Sequence, residues 1–393
     1  MAQDDVVILS GVRTAIGALG GSLSETSASD LGAAVIREAV QRAGISPEVV
    51  NQVILGCVGQ VAEDGYIARH ASVKAGMPIS TPAYTVNRIC GSGLEAINTG
   101  ARWLQTGDAQ VVVAGGAENM SMMPYLLRKA RFGYRLGHST LEDATMHLVT
   151  DPFEKVPMGI TAENLAQKFE VSRELQDEFS VRSQERARAA IDAGRFKEQI
   201  LALEVPKGRE KVMFDTDEHP RSTSMEALGR LRPAFKPDGV VTAGNSSGIN
   251  DGAAALVLTT EGHARELGVK PRMRLVARAE AGVAPETMGE GPIPAIQNAL
   301  KKAGLTVEDM DVIELNEAFA AVAAACSTVL GLPTDKTNPN GGAIALGHPV
   351  GATGAILAVK AMYELERIQG RYALVSLCIG GGQGIASIFE RVE

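Results

Sequence analysis

The chain has 393 residues, 45% hydrophobic and 21% charged, with a formal net charge of −8. Such a length holds two or three domains with sizeable cores, and the acidic balance excludes nucleic acid or an anionic membrane as a global partner. No apolar run reaches the roughly 18 residues of a transmembrane helix, and Cys57, Cys90, Cys326 and Cys378 are too far apart for a C-x-x-C or Cys/His metal site.

The acidic start, Met1-Ala2-Gln3-Asp4-Asp5, reads as neither a signal nor a transit peptide, and Arg391-Val392-Glu393 is no peroxisomal address. Reduced thiols in the cytoplasm are therefore expected. Residues 5–10 read as a strand, and a Gly/Ser-rich loop follows. A helix then carries Leu31, Val35, Ala39 and Ala43 on one face and stops at Gly44. Ser46-Pro47 opens a turn before the buried strand Val53-Ile54-Leu55-Gly56. Next comes Val86-Asn87-Arg88-Ile89-Cys90-Gly91-Ser92-Gly93-Leu94, where Leu94, Ile97, Ala101 and Leu104 set a helical period. Val111-Val112-Val113-Ala114-Gly115-Gly116 is another strand. Strands alternating with helices predict an α/β fold with a covered sheet.

An internal repeat refines this expectation. Ile36–Gly56 aligns without gaps with Ile296–Asn316, with 6 of 21 positions identical. Extending the offset of 260 sets Arg88-Ile89-Cys90-Gly91 opposite His348-Pro349-Val350-Gly351. Residues 251–258 resemble 384–390, so the chain reads as two copies of one α/β unit. The first copy is interrupted between about residue 120 and residue 245. The interruption holds 19 of the 38 Lys and Arg residues and seven of the nine Phe, with a helix opening at Ser172. It is either a solvated decoration or a cationic lid facing an anionic substrate.

Cys90 falls at a helix start, where unpaired N–H groups and the helix dipole can draw a thiol from about 8.5 to roughly 3.5–7.5. Free cysteines are also among the most buried residues, so an inert core thiol is the competing reading. Three second-half segments are candidates to face it: Leu315-Asn316-Glu317-Ala318-Phe319, Asn338 through the His348 turn to Gly354, and Cys378-Ile379-Gly380-Gly381-Gly382. Asn316 can hold a water or polarise a carbonyl, or merely cap its own turn. The glycine N–H groups after Cys378 can bind an oxyanion. A thiol, an imidazole and a second thiol together fit covalent acyl transfer.

On these residues the chain resembles the thiolase family, acetyl-CoA C-acetyltransferases and 3-ketoacyl-CoA thiolases. "VNRICGSGLEAI", "NEAFA", "NPNGGAIALGHPVGATGA" and "CIGGGQG" follow that family's order and spacing, and the similarity covers essentially the whole chain. The resemblance implies a duplicated fold layered α-β-α-β-α. Residues 1–120 with 245–270 would form the first half, 121–244 a loop domain, and 271–393 the second half. It implies reversible condensation of two acetyl-CoA into acetoacetyl-CoA and CoA through an acyl-Cys90 intermediate, with a longer-chain 3-ketoacyl-CoA thiolase as the alternative. CoA thioesters would be substrates; no permanent cofactor and no metal are expected.

By the same resemblance Cys90 is the nucleophile, His348 its base, and Cys378 the acid/base at the substrate α-carbon. Asn316, through a water, and His348 form one oxyanion hole; the Cys90 and Gly380 N–H groups form the other. Met158, Phe235, Ala243 and Ser247 would line a pantetheine tunnel, with Arg221 near the nucleotide end. Met288, Ala318 and Phe319 would wall the acyl pocket. "RFGYRLG" at 131–137 resembles the segment that pairs dimers into homotetramers. One departure concerns chain length: Pro157 precedes Met158 where many short-chain members have His, as in degradative members. A nucleotide-dependent oxidoreductase is disfavoured, because G-x-G-x-x-A at Gly91–Ala96 lacks an acidic residue ending the next strand. Decarboxylating condensing enzymes resemble a Cys-His-His set, whereas the third position here is Cys378; a non-catalytic member would not need all three groups.

Overall fold

The computed structural model describes residues 5–392, so the readings at Met1–Asp4 and Glu393 lie outside it. The first half comprises β1 (Val6–Thr14), α1 (Ala28–Ala43), β2 (Gln52–Gly56), β3 (Ala83–Val86), α2 (Ser92–Thr106) and β4 (Val111–Asn119). The Ser27 hydroxyl caps α1 by accepting the Asp30 N–H, and Gly44 ends that helix with φ at 68°. The chain then leaves for an insert containing α3 (Met158–Lys168) and α4 (Arg173–Asp192). Ser172 caps α4 as predicted, accepting the Leu175 N–H at 3.1 Å. The chain returns to the first half in β5 (Asn250–Thr260). The second half comprises β6 (Met273–Gly282), α5 (Pro292–Ala303), β7 (Val312–Leu315), α6 (Ala320–Leu330), α7 (Thr353–Ile368), β8 (Tyr372–Ile379) and β9 (Gln383–Arg391).

The main sheet runs β7-β8-β9-β6-β1-β5-β4-β2-β3. Apart from the edge strand β3, that order is a palindrome of the repeat: β2, β4, β5, β1 face β6, β9, β8, β7. The halves join where β1 meets β6, pairing Val7 with Arg274 and Ile8 with Met273. Within each half a parallel pair (β2 with β4, β7 with β8) meets an antiparallel strand on its inner side, β5 or β9, while β3 extends the first pair in parallel at the edge. Helices α2 and α7 lie between the half-sheets, α1 covers the outer face of one and α5 that of the other. Strands covered on both faces read as continuous apolar runs, which explains "VVVAGG" and "GAAALVL".

The two central helices touch backbone to backbone at their N-termini. A Cβ on Gly93 would lie 2.8 Å from the Ala355 amide nitrogen, and one on Gly354 would lie 2.4 Å from that of Leu94. Gly93 and Gly354 are each the second residue of a central helix, so the contact is two-fold in kind. Glu118, at the end of β4, ties the same seam: its carboxylate accepts N–H groups from Val58 and Gly59 of the first half and Gly351 of the second. The insert is moored by a buried bidentate pair, Arg13 donating to Asp217 at 2.7 and 2.9 Å.

Candidate active site

The Cys90 turn is held in a conformation that side chains rarely adopt. Ile89 has φ at 46°, in the left-handed region, which is unusual for a β-branched residue. Two polar side chains stabilise it. Asn87 Oδ1 accepts the Ile89 N–H at 3.1 Å. Ser92 Oγ accepts the Arg88 N–H at 2.8 Å and donates to the Ile89 carbonyl at 2.6 Å. α2 begins at Ser92, so Cys90 stands just ahead of a helix, as predicted.

The expected lowering of the Cys90 pKa does not occur. The residue is half-buried, and desolvation of its sulfur pushes the thiol up to about 11 against the opposing pull of the Gly380 and Cys90 N–H groups. Loss of hydration outweighs the helix start, so the resting group is a thiol and needs a base.

His348, on the same cleft as Cys90, has the chemistry of one. It is 5% exposed, and burial depresses the imidazole to about 4, leaving it neutral near pH 7. Its tautomer follows from its neighbours. Thr353 Oγ1 donates its one proton to the Pro349 carbonyl at 2.8 Å. Toward His348 Nδ1, 2.7 Å away, it can therefore only accept. The proton sits on Nδ1, and Nε2 is the free base. Asn250 Oδ1 accepts the His348 backbone N–H at 2.9 Å and fixes the turn. Asn316 Nδ2 lies 3.4 Å from Nε2, while its Oδ1 is buried without a partner. Asn316 thus turns toward His348 rather than capping its own turn.

Cys378 lies a layer deeper, fully buried at the end of β8. Burial, then the neighbouring Cys90 and Cys326 sulfurs, raise its thiol well above the usual range. After it the chain turns sharply at Gly381 and Gly382, with φ at 85° and 84°, which glycine alone accepts readily. Cys57 and Cys326 are buried, with raised thiols, and Cys57 donates toward Glu118 at 3.5 Å.

One cleft of about 450 Å³ gathers Cys90, His348 and Gly380 with all eight residues expected to contact substrate. Met158, Arg221, Phe235, Ala243 and Ser247 come from the insert and its return; Met288, Ala318 and Phe319 come from the second half. The insert is bound to the "NEAFA" segment directly. The Ser247 N–H donates to the Ala318 carbonyl at 3.0 Å, and the Phe235 and Phe319 rings meet edge to face at 6.3 Å. The insert is a wall of the cleft and not a decoration. Sequence reasoning missed Glu118, His219, Asn250 and Thr353. Glu118 left a signal, a carboxylate within an otherwise apolar strand; the others left none beyond their residue types.

The thiolase N-terminal domain family matches residues 6–262, and the thiolase C-terminal domain family matches residues 269–391. The chain belongs to the thiolase family. This thiolase is 53% identical over 392 residues to the beta-ketothiolase BktB of Cupriavidus necator, with 99% of each chain covered. Among solved structures, a Bacillus anthracis acetyl-CoA acetyltransferase superposes with a TM-score of 0.98 at 44% identity, covering 100% of both chains. The human mitochondrial 3-ketoacyl-CoA thiolase in complex with CoA gives 0.96 at 44% identity, covering 99% of this thiolase and 98% of that chain.

Proposed function

We propose that this thiolase catalyses the reversible condensation of two acetyl-CoA to acetoacetyl-CoA and CoA, by way of an acetyl-Cys90 thioester. The observation that carries the reading is that a protonated Cys90 thiol and a neutral His348 line one cleft. His348 Nε2 takes the Sγ proton as sulfur attacks the thioester carbonyl, and CoA leaves as the thiol, carrying that proton. The Cys90 and Gly380 N–H groups, both beside the sulfur, hold the oxyanion of the acyl-enzyme. Cys378 first gives its own proton to the neutral His348 Nε2. Its thiolate then takes the α-proton of a second acetyl-CoA, the carbanion displaces Cys90 from its acetyl group, and His348 returns its proton to the departing Cys90 sulfur. Asn316 and His348 serve the enolate oxygen, and the unpartnered Asn316 Oδ1 suits the water expected there. Two separate bases are required because the weakly acidic carbon is deprotonated only after the first acyl group is in place.

The loop domain, residues 121–244, binds CoA in this reading. A longer-chain 3-ketoacyl-CoA preference is the second reading, favoured by Pro157 beside Met158 in the cleft wall. Thiolysis kinetics across 3-ketoacyl-CoA chain lengths separates the two. We also infer a homotetramer, supported by apolar side chains on the 131–137 segment and its neighbours: Phe132 is 91% exposed, Leu136 99% and Leu141 62%. No helix among the described residues is long and apolar enough to cross a membrane. Four unpaired thiols fit a reducing cytoplasm.

The division of labour between the cysteines has a direct test. Cys378→Gly incubated with acetyl-CoA gains one acetyl group on Cys90 by intact mass yet makes no acetoacetyl-CoA. An unacylated Cys90 in that variant overturns the scheme.

A further inference from the structure

A second histidine in the cleft has an unspent polar atom. His219 belongs to a segment of the insert fastened on both sides. Asp217 pairs with Arg13, Glu218 accepts N–H groups from Ala18 and Ser22, and the Arg221 guanidinium donates to the Ala243 carbonyl. His219 lines the cleft between them, yet its Nε2 is buried without a hydrogen-bond partner. Gly248 makes room for the ring: a Cβ there would lie 2.3 Å from His219 Cε1.

The position of its proton follows from the His348 backbone. That N–H can only donate, so the Asn250 atom it meets at 2.9 Å is Oδ1. Asn250 Nδ2 is therefore the donor that reaches the Gly17 carbonyl at 2.9 Å and lies 3.4 Å from His219 Nδ1. His219 Nδ1 accepts, and burial with the neighbouring Arg221 charge keeps the ring neutral by lowering its pKa. The single ring proton sits on Nε2, the reverse of His348. A donor shut away from water without an acceptor is costly to maintain. What passes through this apolar cleft in the proposed reaction is the pantetheine arm of a CoA thioester, whose polar groups are two amides and one secondary hydroxyl, the amide carbonyls being the stronger acceptors.

We propose that His219 binds substrate, its Nε2–H donating to an amide carbonyl of the pantetheine arm. The inference rests on the thioester reading of the cleft. Thiolysis of acetoacetyl-CoA and of the S-ethyl thioester of acetoacetate, which has no amide, is compared at saturating CoA. The full chain is used, as wild type, His219→Asn, His219→Phe and His219→Gln. His219→Asn keeps an acceptor for Asn250 and removes Nε2; His219→Phe keeps the ring and removes both nitrogens. Both raise KM for acetoacetyl-CoA about tenfold with kcat changed less than twofold, and leave kcat/KM for the S-ethyl thioester unaltered. His219→Gln, whose longer amide restores an N–H at similar reach, recovers most of the loss. An unchanged KM in His219→Asn, or an equal loss on the S-ethyl thioester, overturns the proposal; the latter places the effect in the Asn250–His348 scaffold. A wild type inert toward both thioesters overturns the functional reading itself.

Discussion

The turns carrying Cys90 and His348 occupy the same place in the two copies of the fold, and they are stapled by the same hydroxyl. Ser92 and Thr353 each open a central helix, and each donates back to a carbonyl of its own turn, Ile89 or Pro349. They differ in what they accept. Ser92 accepts a backbone N–H, that of Arg88; Thr353 accepts the imidazole of His348, the residue equivalent to Arg88. One hydroxyl maintains the strained backbone of the Cys90 turn, and the other sets the tautomer of the His348 ring. The two helix starts share one architecture and differ in a few residues, Arg88 against His348 and Cys90 against Val350 among them.

The comparison can be broken at several points. His348→Gln removes the base but keeps a polar side chain, and acetoacetyl-CoA thiolysis should fall about 10²–10⁴-fold in kcat/KM, while Cys90 remains alkylatable. Gly354→Ala drives a methyl group against the Leu94 amide; it should lower stability by roughly 1–3 kcal/mol, read as a shifted urea midpoint. Gly93→Ala should do the same, since the contact is two-fold. Thr353→Val leaves the His348 Nδ1–H without an acceptor, and kcat should fall about tenfold or more with KM nearly unchanged. The last test concerns charge. With the Cys90 thiol near 11, the thiolate fraction rises with pH throughout the neutral range. Iodoacetamide inactivation should accelerate about tenfold per pH unit between pH 7 and 9. A rate already at plateau at pH 7 would mean that the helix start outweighs desolvation.

Much of this architecture was legible before the structure. The repeat predicted matched halves because strands buried on both faces leave long apolar runs, and the Ser172 and Gly44 caps marked helix ends through local hydrogen bonding. The Cys90, His348, Cys378 and Asn316 segments were recognisable because each combines a reactive side chain with small residues at a strand or helix end. The Cys90 pKa was not legible, because desolvation depends on surrounding atoms from several segments, including the Gly380 turn nearly 300 residues away. The tautomers were equally hidden, since each depends on a hydroxyl or amide whose own partner must first be known. Glu118 could be suspected as an acid in an apolar strand, but its acceptance of N–H groups from Val58, Gly59 and Gly351 required the seam itself.

The mooring of the insert bears on how substrate would enter and leave the proposed site. For the cleft to widen by an outward swing, the Arg13–Asp217 pair would have to part where neither side chain meets water. Separating buried partners costs about 3–5 kcal/mol when each is left uncompensated. A hinged gate is therefore a poor description of this enzyme. In the proposed reaction the flexible arm of the thioester threads lengthwise through a channel whose wall stays in place, so exchange of one CoA for the next depends on motions of the ligand.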